Sequence, residues 1–212
     1  MDSTDIVVVI GGSSGLGLAV ARRCLTDGAS VVIAGRSAER LAAARAGLAG
    51  GGRLRAVTAD IGDRGQVAAL FEEAGSLVRH VVVTAADLPY GPVGELTEAD
   101  VMRAVRSKFL GPYFTVQEAA PRMTAGGSIT FTSGIAAYRP APGGSLAATA
   151  NGGLESMVRA FALELAPIRV NAVSPGWVDT PIWDELATPA AKQARLSELA
   201  ARLPAGRIGT PA

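Results

Sequence analysis

Short apolar segments alternate with longer amphipathic segments along most of the chain. The apolar segments are rich in valine and isoleucine and apolar at almost every position, which is typical of strands covered on both faces of a parallel sheet. The predicted strands are Asp5–Ile10, Ser30–Gly35, Arg53–Ala59, His80–Thr84, Gly127–Thr132 and Ile168–Val173. The predicted helices are Gly15–Asp27, Ser37–Leu48, Arg64–Ala74, Glu98–Met123 and Leu146–Leu165.

This alternation of strands and helices predicts the fold class. Strands that are separated by helices form parallel βαβ units, so we expect an α/β fold with a Rossmann-like, doubly wound parallel sheet. No linker, internal repeat or low-complexity segment divides residues 1–212. The chain is therefore predicted to form a single dinucleotide-binding domain.

A glycine-rich turn joins the first predicted strand to the first predicted helix. Glycine lets the backbone turn tightly and approach a pyrophosphate, and the helix N-terminus then offers N–H groups and the positive end of its dipole. The strand–turn–helix context predicts a dinucleotide site, and a plain tight connection is the alternative. The residues predicted to bind the cofactor here are Gly11, Ser13, Ser14, Gly15, Leu16 and Gly17.

The spacing Gly11-x-x-x-Gly15-x-Gly17 resembles the short-chain dehydrogenase/reductase family, and further similarities extend over most of the chain. The segment 59–61 is similar to the acidic position that follows the family's third strand. Residues 127–133 resemble the strand that ends in the family's catalytic serine, and residues 162–180 resemble its late helix, sixth strand and Pro-Gly turn.

This resemblance implies a nicotinamide cofactor and assigns further residues to its site. Asp60 and Ile61 are expected near the adenine, and Thr180 is expected to form a hydrogen bond with the nicotinamide carboxamide. Ala85 lies where the family has an Asn-Asn-Ala-Gly signature, here reduced to Thr-Ala-Ala-Asp over residues 84–87. Pro175 and Gly176 complete the predicted cofactor-binding residues.

The end of the second predicted strand bears on the choice of cofactor. NAD-dependent enzymes usually place an acidic residue there, roughly 20 residues after the glycine-rich turn, but this strand ends in Gly35-Arg36-Ser37. A guanidinium group can form two hydrogen bonds with a 2′-phosphate. We therefore predict NADP(H), bound by Arg36 and Ser37, over NAD(H). A solvated Arg36 at the start of a helix is the alternative.

The family's Asn–Ser–Tyr–Lys catalytic set is only partly matched. Ser133 occupies the serine position, but Ala147 and Asn151 occupy the tyrosine and lysine positions, and Lys108 stands at the asparagine position. Alanine cannot exchange a proton. Tyr138, in the loop after Ser133, is the candidate replacement for the tyrosine, with an ordinary aromatic wall as the alternative.

Lys108 is one of only two lysines in the chain, the other being Lys192. Its helical neighbours Val101, Ala104 and Val105 are apolar, so its side chain is expected to point along the apolar face. Desolvation would lower its pKa and make it a usable acid or base. A lysine that extends from the helix edge into water is the alternative.

Together these patterns predict an NADP(H)-dependent oxidoreductase that acts on a small carbonyl compound or secondary alcohol at a rearranged site. Ser133 would hold the substrate oxygen, Lys108 and Tyr138 would supply proton and charge, and Asn151 would position the nicotinamide ribose. Fold does not decide function. A non-redox lyase, isomerase or cyclase and a catalytically silent nucleotide-binding protein remain as alternatives.

Composition and charge narrow the function classes. Hydrophobic residues make up 49% of the chain, and 20 Lys and Arg stand against 19 Asp and Glu, which argues against disorder and against a nucleic-acid surface. The apolar runs are too short to span a membrane, and the polar start over residues 1–5 shows no signal peptide. Because Cys24 and His80 are the only residues of their types, we expect no disulfide, no metal site and a cytoplasmic location.

The resemblance also implies an assembly and an unusual end to the sheet. Family members pair through two helices, and the small residues within Leu146–Leu165 would let such helices approach closely, so a homodimer is expected. Residues 206–211 resemble the lead into the family's last helix and seventh strand. Because the sequence then ends at Ala212, the sheet is expected to lack that seventh strand, either in the natural protein or through truncation.

Overall fold

Six parallel strands form one sheet in the computed structural model, which describes residues 5–185 and 188–211; residues 1–4 of the predicted polar start lie outside this range. The strand order is β3-β2-β1-β4-β5-β6. The strands are β1 (Ile6–Ile10), β2 (Ser30–Gly35), β3 (Leu54–Thr58), β4 (Val78–Val83), β5 (Met123–Thr132) and β6 (Arg169–Val173). The predicted α/β fold with a doubly wound parallel sheet is confirmed.

Helices connect the strands and cover both faces of the sheet. They are α1 (Gly15–Thr26), α2 (Ala38–Gly47), α3 (Arg64–Ala74), α4 (Glu98–Val105), α5 (Gly111–Ala119), α6 (Ser145–Glu164) and α7 (Pro189–Arg202). The sequence patterns predicted neither α7 nor the early start of β4 at Val78.

The single helix predicted over Glu98–Met123 is wrong in two places. A π-helical turn over Arg106–Leu110 separates α4 from α5, because Pro112 has no N–H group to donate to the carbonyl four residues earlier. Pro121 then lies in a short 3-10 turn, and β5 begins directly after it at Met123. The wide π turn is the segment that carries Lys108.

The hydrophobic core lies in two layers, one on each face of the sheet. In the central strand β1, Val8 and Ile10 pack into one layer, whereas Val7 and Val9 pack into the other. Successive side chains of a strand point to opposite faces, so a run of consecutive apolar residues fills both layers. This is the physical reason why the apolar runs identified the strands.

The order in which strands are added to the sheet changes direction between β1 and β4. The order places β2 and β3 on one side of β1 and β4, β5 and β6 on the other. In such sheets, ligands bind in the crevice at the carboxyl ends of the strands, at the reversal point. The fold therefore sets the position of a candidate site.

The far edge of the sheet is formed by β6. Within the described residues, β5 is its only strand neighbour, and a single parallel bridge joins Val178 to Gly209 beyond its end. In the part of the chain that the structure describes, no helix combines the length and the apolar character needed to cross a membrane.

Candidate active site

The glycine-rich turn brings α1 close to the ends of β1 and β4. A Cβ atom on Gly11 would lie 2.5 Å from Thr84 Oγ1 and 2.6 Å from the Ala85 backbone nitrogen, and Gly11 has a φ of +94°. A Cβ atom on Gly17 would overlap the carbonyl oxygen of Gly11. These two positions require glycine because side chains there would push the helix away from the sheet.

The N-terminus of α1 opens into a cleft. Ser14 is the N-cap residue, but its side chain makes no capping hydrogen bond, so the first N–H groups of the helix remain for a ligand. These groups and the helix dipole favour an anion at this position. Gly15 and Leu16 of the first turn line the cleft.

The cleft encloses about 460 Å³ where β1, β2, β3 and β4 end. The predicted cofactor-binding residues that line it are Gly11, Ser13, Ser14, Gly15, Leu16, Arg36, Asp60, Ile61, Ala85 and Thr180. Its volume and glycine-lined floor fit a dinucleotide.

Four predicted cofactor-binding residues lie outside the described lining of this cleft. Gly17 packs against the turn behind it, and Ser37 caps α2 by accepting the N–H of Arg40 at 3.2 Å. The Pro175 carbonyl accepts the N–H of Ile135 at 3.0 Å, and Gly176 follows it in the same turn. These residues shape the backbone around the cleft.

A pair of arginines holds one carboxylate at the mouth of the cleft. Arg36 Nη1 lies 2.8 Å from Asp87 Oδ2, and Arg103 Nη2 lies 2.6 Å from Asp87 Oδ1. Burial alone would raise the pKa of Asp87, but the hydrogen bonds and charges of Arg103 and Arg36 outweigh it and hold the pKa below its usual value. The backbone of Asp87 is fixed by Ser107 Oγ, which accepts its N–H at 3.1 Å.

Lys108 lies buried on the π turn, where it is 4% exposed. Its Nζ donates a hydrogen bond to the carbonyl of Thr132, the last residue of β5. Burial lowers the pKa of Lys108 from 10.5 to about 8, because the low-dielectric interior disfavours the charged form. An amine with this pKa exists in both protonation states near neutral pH.

Ala147 and Asn151, the two residues predicted to stand at the family's tyrosine and lysine positions, are buried on α6. Ala147 is 0% exposed and Asn151 is 5% exposed. A Cβ atom on Gly134 would come within 2.8 Å of Asn151 Nδ2, so Asn151 packs directly against the loop after β5. Among the described residues, Asn151 Oδ1 has no hydrogen-bond partner, although a buried amide oxygen normally has one.

A carboxylate that the sequence patterns did not single out forms the centre of a hydroxyl cluster. Ser133 Oγ donates to Glu155 Oε1 at 2.8 Å, and Ser174 Oγ donates to the same oxygen at 2.6 Å. The Tyr138 hydroxyl donates to Glu155 Oε2. We call these four residues, Ser133, Tyr138, Glu155 and Ser174, the hydroxyl cluster.

The hydrogen bonds of the hydroxyl cluster shift the pKa values of Glu155 and Tyr138 in opposite directions. Desolvation would raise the pKa of Glu155, but hydrogen bonds from Ser174, Tyr138 and Ser133 outweigh it and lower that pKa below its usual value. The hydrogen bond to Glu155 raises the pKa of Tyr138, which is 65% exposed. Glu155 is therefore ionised and Tyr138 is protonated at neutral pH.

The structure thus places the predicted site residues in two groups. The nucleotide group lines the cleft, and the predicted catalytic group lies beyond it, around the carboxyl end of β5. The sequence patterns missed Glu155, Ser174, Asp87 and Arg103. Asp87 had a detectable signal, since it stands at the position where the resemblance predicts the glycine of an Asn-Asn-Ala-Gly signature.

The chain is similar to one family model and to known proteins over most of its length. A family model described as enoyl-(acyl carrier protein) reductase matches residues 11–212. L-rhamnose 1-dehydrogenase (NAD(P)(+)) from Azotobacter vinelandii is 35% identical, over 97% of this chain and 84% of that protein. Both descriptions are those of oxidoreductases.

Two solved structures share the fold at similar identity. The MalC reductase/Diels-Alderase from Malbranchea aurantiaca has a TM-score of 0.90 and 31% identity, over 98% of this chain and 85% of its own. An NADPH-bound short chain oxidoreductase from Pseudomonas aeruginosa PAO1, described as containing an atypical catalytic center, has a TM-score of 0.88 and 31% identity, over 99% and 86%. The chain therefore belongs to the short-chain dehydrogenase/reductase family and is an enzyme of that type.

Proposed function

We propose that the protein is an NADP(H)-dependent oxidoreductase that acts on a small carbonyl compound or secondary alcohol. The observation that carries this proposal is that the N-terminus of α1 and Arg36 both line the same cleft. A pyrophosphate at the helix and a 2′-phosphate at the guanidinium are the two anionic groups that NADP(H) brings.

The preference for the 2′-phosphate rests on the arginines of the cleft. Arg36, Arg40, Arg103 and Arg106 are all in its lining, and they outnumber the one carboxylate that Arg36 and Arg103 share, Asp87. A phosphate monoester carries close to two negative charges at neutral pH, and arginine binds it with charge-assisted hydrogen bonds. The NADPH-bound relative from Pseudomonas aeruginosa is consistent with the same choice.

The substrate chemistry requires the chain to hold an oxygen and move its proton. When bound, a nicotinamide dinucleotide gives or takes the hydride. We propose that Ser133 binds the substrate oxygen and that Lys108 transfers the proton. Lys108 Nζ donates a hydrogen bond to the backbone carbonyl of Thr132, the residue before Ser133. Its pKa of about 8 is close to the value that suits a general acid or base at neutral pH.

Tyr138 and Asn151 take supporting roles in this proposal. Tyr138 forms the exposed side of the substrate site, with its proton held by Glu155. Asn151 is the group that we assign to the nicotinamide ribose, because its buried Oδ1 is free to accept a hydrogen bond within the described residues.

A non-redox reaction in the same pocket is the second candidate. The observation that favours it is Ala147, a fully buried alanine at the family's tyrosine position, which removes the usual proton donor. The relative from Malbranchea aurantiaca is described as both a reductase and a Diels-Alderase, so a member of this fold combines the two kinds of chemistry.

We also propose a homodimer formed through the helices between β4 and β6. Large apolar side chains are exposed there, including Phe109 at 49% and Leu163 at 84%. Gly152 and Gly153 of α6 leave open space around their Cα atoms, which lets a second helix approach closely. Small-angle X-ray scattering tests this, and a particle of monomer mass at micromolar concentration would contradict it.

Nucleotide binding followed by turnover tests the function. We expect NADPH fluorescence to report binding, and a panel of ketones and aldehydes to include one that drives loss of absorbance at 340 nm. Binding without turnover of any compound would favour a silent nucleotide-binding protein, and no binding would favour the non-redox enzyme.

The cofactor preference is tested with Arg36→Ala and a matched control. Loss of a charge-assisted hydrogen bond costs about 1.5–3 kcal/mol, so NADPH affinity should fall about 10- to 100-fold relative to NADH affinity. Arg45→Ala removes an exposed arginine of α2 that is not in the lining of the cleft, and should leave the ratio unchanged. An unchanged ratio in Arg36→Ala would refute the NADP(H) assignment.

A further inference from the structure

All three hydroxyl protons of the hydroxyl cluster are donated to one carboxylate. Glu155 is the acceptor in all three of its hydrogen bonds, with Ser133, Ser174 and Tyr138 as the donors. An ionised carboxylate only accepts hydrogen bonds and has about four lone-pair directions, so it can accept three donors at once. The carboxylate therefore fixes the direction in which each hydroxyl points.

A hydroxyl group has one proton, so its donation to Glu155 leaves only lone pairs on the oxygen. The proton of Ser133 has a second acceptor in reach, because Ser133 Oγ lies 3.3 Å from the carbonyl oxygen of Asn151. A carbonyl ligand at Ser133 would have to compete with a charged acceptor and a neutral one. A ligand that donates a proton meets no such competition.

We propose that Glu155 determines substrate specificity by holding Ser133, Tyr138 and Ser174 as acceptors, so that the ligand bound beside them presents hydroxyl donors, as a secondary alcohol or polyol does. Glu155 acts here through the hydroxyls and is a positioning residue. The assignment of this ligand as the substrate rests on the proposed function above, whereas the donor preference itself follows from the cluster.

The hydroxyl cluster is open to solvent on the Tyr138 side. Tyr138 is 65% exposed, whereas Ser133 is 6% exposed. Ser174 lies between these extremes. A hydroxyl donor that enters beside Tyr138 meets the outer oxygen atoms first and Ser133 last. A diol can satisfy two of these acceptors, which favours polyhydroxylated ligands over simple alcohols.

Cyclohexanol and cyclohexanone are a matched pair of probes, because they share one ring and differ in the donor. Their dissociation constants are measured by saturation-transfer NMR on the full chain without nucleotide, and again with NADPH for the alcohol and NADP⁺ for the ketone, combinations that cannot react. One net hydrogen bond corresponds to roughly a fivefold difference in affinity. We expect the wild-type chain to bind cyclohexanol about fivefold more tightly than cyclohexanone.

Replacing the carboxylate should abolish this preference. Glu155→Leu frees the protons of Tyr138 and Ser174 and leaves the Ser133 proton only the neutral acceptor of the Asn151 carbonyl. The cluster can then donate to a ketone oxygen, and the two affinities should become equal within twofold. Glu164→Gln is the matched control, because Glu164 is an exposed carboxylate at the end of the same helix. It should retain the wild-type ratio.

A second measurement does not depend on ligand binding or on Glu155→Leu being folded. Glu155→Gln removes the charge beside the Tyr138 hydroxyl while preserving shape. The alkaline absorbance titration of Tyr138, isolated by subtracting Tyr138→Phe, should move to lower pH in Glu155→Gln and stay unchanged in Glu164→Gln. A purely structural role of Glu155 would leave the titration of Tyr138 where it is.

The outcomes separate this inference from the proposed function. A wild-type chain that binds cyclohexanone as tightly as cyclohexanol, or binds neither, contradicts the inference, as does an unshifted Tyr138 titration. Failure of the chain to bind NADPH would overturn the proposed function instead, and the measurements without nucleotide would still decide the donor preference.

Discussion

Replacement of the buried lysine by methionine should stabilise the fold near neutral pH. The fall in the pKa of Lys108 from 10.5 to about 8 corresponds, at about 1.4 kcal/mol for each pH unit, to about 3 kcal/mol against the protonated side chain. Lys108→Met removes that cost but leaves the Thr132 carbonyl without its donor, a loss of about 1–2 kcal/mol. We expect a net gain of about 1–2 kcal/mol in the free energy of unfolding at pH 6.5.

The dependence on pH identifies the cause of this gain. The folded state lowers the pKa of Lys108, so the cost is fully present below about pH 8 and declines as the pH rises from there towards 10.5, because the unfolded chain binds the proton more tightly. At pH 9.5 the cost should be about 2 kcal/mol smaller, whereas the lost hydrogen bond does not change. The advantage of Lys108→Met should therefore vanish or reverse at pH 9.5.

Urea unfolding at pH 6.5 and pH 9.5 measures both quantities. Lys192→Met is the control, since Lys192 is the other lysine of the chain and lies 2.9 Å from both Asp179 and Asp184. Hydrogen bonds to these carboxylates raise the pKa of Lys192, so its ion pairs stabilise the fold below its ordinary pKa and lose that effect as the pH rises through the higher value. Lys192→Met should give no gain at pH 6.5. If Lys108→Met destabilised the fold equally at both pH values, the desolvation argument would be refuted.

Three further substitutions test the cleft and the core. Asp87→Asn removes the carboxylate that forms an ion pair with Arg36, and a partly exposed ion pair is worth up to about 1 kcal/mol. NADPH should therefore bind a few-fold more tightly in a fluorescence titration, and weaker binding would contradict this. Gly17→Ala should cost about 1–3 kcal/mol in urea unfolding because its Cβ atom would overlap the Gly11 carbonyl. Its control is Gly47→Ala at the end of α2, where a Cβ atom meets no atom within 4 Å, and this change should be neutral or stabilising. Thr115→Val should be neutral or stabilising by about 1 kcal/mol, because within the described residues the buried Thr115 hydroxyl has no partner; a clear loss in thermal unfolding would contradict it.

Local patterns in the sequence were sufficient for the sheet and the nucleotide cleft. The strands β1 and β2 are identified by consecutive apolar residues that fill both core layers, and the glycine-rich turn is identified by its own spacing. The π turn was not predicted, since its cause is the loss of one backbone hydrogen bond at Pro112, which the apolar periodicity does not register.

Contacts between distant residues were not accessible to the sequence patterns. Arg36 and Asp87 are 51 positions apart, and Ser133 and Glu155 are 22 positions apart. Glu155 occupies a helix whose polar positions are mostly solvated, so only the packing of α6 against the ends of β5 and β6 distinguishes it. The predicted substrate-oxygen role of Ser133 thus acquires a preferred hydrogen-bond direction only from the structure.

The most direct test of the central claim is the pH dependence of NADPH oxidation by the wild-type chain and by Lys108→Met, followed at 340 nm with a carbonyl substrate from the panel. We expect both proteins to bind NADPH with similar affinity and wild-type turnover to change with an apparent pKa near 8. Lys108→Met should lose turnover by about 100-fold or more. Equal turnover in the two proteins, with the same pH profile, would contradict it.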